Sequence, residues 1–159
     1  MIKYVETLVT FSEIPDEVTL CINISNCPHL CQGCHSPWLR EDIGTELTGG
    51  ALLKLIEHNK GISCVCIMGG DSNPEYVDYL ARIIKNSGLK SAWYSGSDEI
   101  NPIINVFNFN YIKIGHYDED KGPINKETTN QKLFKVNTFI SDIGETFELE
   151  NITYKFWND

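Results

Sequence analysis

Three cysteines fall close together in the stretch NCPHLCQGCHSP: Cys27, Cys31 and Cys34, spaced Cys-x3-Cys-x2-Cys, with His35 directly after the last. Thiolates are soft ligands that select zinc, copper(I) or iron–sulfur clusters, and three on one short loop can converge on a single metal centre. A structural zinc site normally takes four protein ligands, and no fourth follows here at a regular interval. His35 adjoins Cys34, and neighbouring residues rarely reach one tetrahedral ion with relaxed geometry. Cys21, Cys64 and Cys66 remain, but Cys64 and Cys66 lie in ISCVCIM, an apolar run that reads as a buried strand. Free cysteines in such a strand pack as small apolar side chains. A [4Fe–4S] cluster is usually closed by four cysteines. Three would leave one iron with an open coordination position, and an open position on a metal centre is where a substrate binds.

A second element of chemical interest is Gly69-Gly70-Asp71 in IMGGDSNPE, where the buried strand ends and a helix begins. Two glycines permit close approach of the backbone to a ligand and unusual dihedral angles. By itself such a dipeptide marks only a turn.

The elements that must position these residues follow from periodicity. In VTLCINIS, Val18, Leu20, Ile22 and Ile24 alternate with Thr19, Cys21, Asn23 and Ser25, a strand that leads straight into Cys27. Residues 2–13 read as an earlier strand, turned by Ile14-Pro15-Asp16-Glu17. In GGALLKLIEHNKG, Leu52, Leu53, Leu55 and Ile56 form an apolar helical face that Gly61 ends. DSNPEYVDYLARIIKNSG is the clearest helix: Asn73 caps it, Pro74 takes its first position and Gly88 closes it. Val77, Leu80, Ala81 and Ile84 supply its buried face. Further strands fit residues 91–96, 111–115 and 132–137, and the tail ETFELENITYKFWND reads as a closing pair around Glu150-Asn151.

Strands alternating with helices predict an α/β chain with a largely parallel sheet. Too short for a full eight-fold barrel, the chain is expected to form a partial, open β/α barrel with β additions at both termini. One domain is expected over 1–159, with a core at about 18–136 and a terminal β extension at about 137–159. Its ligand site belongs at the C-terminal ends of the parallel strands.

Composition narrows the function. Of 159 residues, 42% are apolar and 22% charged, the profile of a folded globular chain. The net charge of −9 argues against sequence-independent nucleic-acid binding, which depends on Lys and Arg. No apolar run is long enough for a membrane span, and MIKYVETLVTFSEIPDE lacks the pattern of a secretory signal. A cytoplasmic protein is expected, and six cysteines in a reducing compartment suggest metal binding or catalysis before disulfides.

The cysteine spacing after a strand, with Gly69-Gly70-Asp71 one βα unit later, resembles the radical S-adenosylmethionine superfamily. There the fourth iron binds the amino and carboxylate groups of S-adenosylmethionine, and a Gly-Gly-Glu turn holds the methionine amino group; Asp71 stands where Glu is more widespread. Gly33, His35, the late Asn130-Gln131-Lys132 and the strand SAWYSG are similar to the anaerobic ribonucleotide reductase activating proteins. Ser95-Gly96-Ser97 stands for that family's Thr-Gly-Tyr, and its Gly-Pro-Gly segment ahead of the cluster strand is absent.

The resemblance implies that Cys27, Cys31 and Cys34 ligate a [4Fe–4S] cluster, with no catalytic residue beyond these ligands. Contacts to S-adenosylmethionine are implied for Gly33, Cys34 and His35 at the adenine, Gly69, Gly70 and Asp71 at the methionine end, and Ser95 near the sugar. The implied activity is reductive cleavage of S-adenosylmethionine to a 5′-deoxyadenosyl radical. That radical would abstract hydrogen from a glycine of the reductase large subunit, the implied partner, with an electron donor of unspecified identity. Alternatives are a pyruvate formate-lyase type activase, a small-molecule enzyme such as a 7-carboxy-7-deazaguanine synthase, or a non-catalytic zinc or iron–sulfur protein. The roles of Cys21, Cys64, Cys66 and His35 stay open at this point.

Overall fold

A computed structural model describes residues 1–157. Among them one sheet is built from β1 (Lys3–Thr10), β2 (Thr19–Ile24), β3 (Thr45–Glu46), β4 (Cys64–Met68), β5 (Lys90–Tyr94), β6 (Tyr111–Ile114), β7 (Lys132–Ser141) and β8 (Gly144–Asn151). The spatial order is β3-β1-β2-β4-β5-β6-β7-β8. At the centre β2, β4, β5 and β6 are parallel neighbours. At the margins β1 pairs antiparallel with β2 and β3, and β7 with β6 and β8.

Alternation along the strands divides the core in two. Leu20, Ile22, Val65, Ile67, Trp93 and Ile112 face two helices, α1 (Gly49–His58) and α2 (Pro74–Asn86). Cys21, Cys64, Cys66, Tyr94 and Tyr111 face the other way. That second face is covered by Ile14 from the turn after β1, by Ile124, and by Ile152 and Phe156 after β8.

This arrangement corrects the expected barrel. The molecule is a mixed eight-stranded sheet with two short helices, both on one face, rather than a partial β/α barrel. A parallel barrel needs a crossover helix after each strand to coat its outside. Here β5 passes to β6 without an α-helix, through a single 3-10 turn at Val106–Asn108. The antiparallel margins end the parallel run on both sides, and the chain's own end segments close the face that a barrel would wrap inward.

Local signals were accurate where they rested on neighbouring residues. Asn73 Oδ1 accepts from Tyr76 N at 3.3 Å, Pro74 opens α2, and Val77, Leu80, Ala81 and Ile84 are buried. In α1 Leu52 is fully buried while Leu53 is exposed, because Leu53 lies one residue round the helix from the inward stripe. The two-residue β3 carries no readable periodicity. β7 continues past residue 137 to Ser141, and the hairpin reverses at Asp142-Ile143 rather than near Glu150-Asn151. Asp-Ile lacks the Asn-Gly or Asp-Gly signature of a two-residue turn, so the reversal had no sequence mark.

Beneath the second face, Glu17 is buried and accepts from Ser63 Oγ at 2.8 Å, Lys90 Nζ at 2.8 Å and Tyr111 OH at 2.6 Å. Burial pushes its carboxyl up, but the bonds from Lys90, Tyr111 and Ser63 together outweigh it and hold the carboxyl below its ordinary 4.5. A carboxylate lowered in the folded state stabilises the fold above its unfolded value and ceases to do so as pH falls through its folded value. Wild-type stability in urea is therefore expected to drop as pH falls below 4.5, and Glu17→Gln should flatten that drop; an unchanged pH profile in Glu17→Gln would contradict it. Among the described residues, no helix is long and apolar enough to cross a membrane.

Candidate functional site

The cysteine loop is tied off where it leaves β2. Asn26 takes a left-handed conformation with φ +59°, and its N–H donates to Glu41 O at 2.9 Å. Cys27 N donates to Leu39 O at 2.8 Å, so residues 27–39 form a closed excursion from the sheet. Within it Cys34 N donates to Cys31 O at 3.3 Å, and Gly33 provides the φ of +76° that this tight turn requires. The Arg40 guanidinium donates to the same Cys31 carbonyl at 2.7 Å.

Cys27, Cys31 and Cys34 are all half-buried free thiols. Burial is the main influence raising the Cys27 thiol, and the charges of Asp71, Cys31 and Cys34 raise it further. The His29 backbone near the sulfur works in the opposite sense. Ser36 N–H donates to Cys34 Sγ at 3.4 Å. Metal coordination deprotonates a thiol outright, so a bound cation would hold all three as thiolates.

Among the described residues, no group of three or more His, Cys, Asp or Glu is drawn together as a site for a metal ion. The three thiols are therefore not gathered for a mononuclear site. A four-iron cluster makes a different demand, since each thiolate binds its own iron and the sulfurs stand farther apart. The donor chemistry fits such a cluster: three half-buried thiols on one loop, the Ser36 N–H donating to the Cys34 sulfur, and Arg40 Nε buried beside the loop without a hydrogen-bond partner.

The strand ends supply the remaining pieces. Gly69 and Gly70 follow β4 with φ of +111° and +93°. Gly69 N donates to Tyr94 O at 2.9 Å, and its carbonyl accepts from Trp93 Nε1 at 2.7 Å, which locks the turn to β5. Asp71 is nearly fully enclosed. Its Oδ1 accepts from Ser95 Oγ at 2.5 Å, its Oδ2 from Gly96 N at 2.8 Å, and His29 Nε2 lies 3.0 Å from Oδ2. The structure thus brings Cys27, Cys31, Cys34, Gly69, Gly70, Asp71 and Ser95 to one edge of the sheet. It gives Asp71 and Ser95 to each other rather than leaving them free.

Gly33 and His35 face a different segment. A Cβ on Gly33 would lie 2.5 Å from Glu119 Oε2, and the His35 ring lies 5.4 Å from that of Tyr117. Both partners belong to the loop after β6. Asn130 and Gln131 brace its end, donating to His116 O at 3.1 Å and Gly115 O at 3.4 Å.

Sequence reasoning missed His29, Arg40, Glu119 and Lys113. Lys113 had a signal, a lone cation at an alternate position of the apolar strand YIKI. Its Nζ lies 4.5 Å from the centre of the Tyr94 ring. Burial holds its ammonium below the ordinary lysine value, against the pull of Cys66, Glu13, Cys31 and Asp71. It stands on the second face of the sheet, beside Tyr94.

The other three cysteines differ in kind. Cys21, Cys64 and Cys66 are buried in the sheet, and burial first of all pushes the thiols of Cys21 and Cys64 up to about 12. Iodoacetamide added to native metal-free protein is expected to modify Cys27, Cys31 and Cys34 and spare the other three. Peptide mass spectrometry checks this, and modification of Cys64 at the loop rate would contradict the packing of β4.

Comparison with protein-family models, curated proteins and solved structures found no match to this chain.

Proposed function

We propose that the chain is an iron–sulfur enzyme that cleaves S-adenosylmethionine, and that it activates an anaerobic ribonucleotide reductase by generating a glycyl radical on its large subunit. The observation that carries the reading is the meeting, at one edge of parallel strands, of the three-cysteine loop with Gly69-Gly70-Asp71 and Ser95-Gly96. The proposal rests on this site and not on the fold, which departs from the expected barrel.

On this reading Cys27, Cys31 and Cys34 would hold a [4Fe–4S] cluster, leaving one iron for S-adenosylmethionine. A cluster reduced by an external electron donor would supply one electron to the sulfonium of S-adenosylmethionine, giving methionine and a 5′-deoxyadenosyl radical. The protein's part is binding, orientation and shielding. Gly69 and Gly70 have no side chains to hold an amino group away from their backbone, and the Trp93 indole keeps their turn in place. Lys113, whose Nζ lies 4.5 Å from the centre of the Tyr94 ring, would offer a cation to the carboxylate. The Asp71, Ser95 and His29 network lies between the turn and the loop, and fixes their separation. A site on a sheet edge admits a loop of a large partner, which favours a protein substrate over a small one.

Anaerobic reconstitution tests the reading. The protein should turn brown, bind about four irons per chain, and release 5′-deoxyadenosine from S-adenosylmethionine once reduced. Mixed with the reductase, it should produce a glycyl radical visible by electron paramagnetic resonance. Colourless protein with one tightly held zinc would overturn the iron–sulfur reading. Cleavage without a glycyl radical would overturn the reductase as partner.

A further inference from the structure

His29 lies on the cysteine loop two residues after Cys27 and reaches across to the end of β4. Its ring nitrogen Nε2 lies 3.0 Å from Asp71 Oδ2, across 42 residues of chain. A carboxylate only accepts, so Nε2 carries the proton of this bond. Asp71 is itself anchored to β5 by Ser95 Oγ and Gly96 N, and its side chain is only 6% exposed.

The fit around the ring is close. A Cβ at Gly96 would lie 2.7 Å from His29 Cδ2, so glycine there is what lets the imidazole reach the carboxylate. Elsewhere the loop is held at its base, by Asn26 and Cys27 to Glu41 and Leu39, and by Arg40 at Cys31. The His29–Asp71 bond is the side-chain tie described between the cysteine loop and the ends of β4 and β5.

We infer that His29 is a positioning residue: its clasp on Asp71 holds the Cys27 arm of the loop over the Gly69-Gly70 turn. What the loop holds rests on the iron–sulfur reading above; the clasp does not. Asp71 acts in it as a hub joining loop and strands. Partners that orient metal ligands from outside the coordination sphere typically matter roughly 10–100-fold in metal affinity or activity. Outer-shell contacts and solvent exposure also help set the reduction potential of a cluster.

The test begins without metal. Amide hydrogen exchange is compared between wild type, His29→Ala and His29→Gln, the last keeping a side-chain donor near the position of Nε2. In His29→Ala the peptides covering residues 27–36 should exchange roughly tenfold faster, the loss expected for one hydrogen bond to a charged group. Peptides from β4 and β5 should be unchanged, and His29→Gln should restore most of the protection. After anaerobic reconstitution, His29→Ala should lose iron to a chelator about 10–100-fold faster than wild type. Any cluster it keeps should show a shifted midpoint potential, and His29→Gln should recover both properties. Unchanged loop exchange in His29→Ala would overturn the clasp. Faster exchange with wild-type iron retention and potential would overturn its positioning role. Wild-type protein that takes up no iron would sink the iron–sulfur reading, while the exchange data would still judge the clasp.

Discussion

Cys31→Ala is expected to leave the protein without a retained cluster, while Cys64→Ala keeps it. The two thiols differ in placement. Cys31 sits half-buried on the loop, with its carbonyl held by Arg40 at 2.7 Å. That backbone bond survives truncation of the side chain, so the variant loses a ligand and keeps the loop's main support. With two thiolates instead of three, two irons would lack protein ligands. Iron content after anaerobic reconstitution should fall from about four per chain to a background level. Cys64 is fully buried in β4, in the same core cluster as Cys21 and Tyr94. Replacing it by Ala removes a small apolar group and should cost on the order of 1 kcal/mol of stability, read by denaturant titration, with iron content unchanged. Full iron in Cys31→Ala, or loss of iron in Cys64→Ala, would show the ligand assignment to be wrong.

Gly70→Ala should be among the most destabilising single substitutions in the site. Gly70 has φ +93°, where a side chain is strained, and a Cβ there would lie 2.6 Å from Val77 Cγ2. Val77 is fully buried in α2, and its β-branched side chain has little rotamer freedom with which to yield. Strain and overpacking act together, and the expected loss is ~2–5 kcal/mol. Gly88→Ala separates the two terms. Gly88 has φ +86° but nothing within 4 Å of an added Cβ, so it bears the strain alone. Its cost should stay at ~1–2 kcal/mol. Urea midpoints at constant slope measure both. Equal losses in the two variants would mean that α2 moves away from the turn, and that the Gly70 contact does not fix the helix to the end of β4.

Much of the site was legible because its chemistry is local in sequence. Cys27, Cys31 and Cys34 share one loop, and the alternation in VTLCINIS places that loop at a strand end. Gly69-Gly70 shows itself as a turn because a buried strand precedes it and a capped helix follows. The fold was less legible. The strands could be found from their periodicity, but their directions could not. Nothing in β7 announces that it returns antiparallel beside β6, or that Ile14 and Phe156 close the second face.

The residue types and spacings along the chain were enough to establish the cysteine loop, the capped α2 and the buried character of β4. Each of these is written within a period of two to four residues, where the backbone's own geometry sets the pattern. Tertiary structure alone decided that Asp71 is held by His29, Ser95 and Gly96, that Glu119 lies against Gly33, and that Lys113 sits over Tyr94. Those pairs are joined by the packing of separate strands and loops. A hydrogen bond across 42 residues leaves no periodic trace in the sequence that makes it.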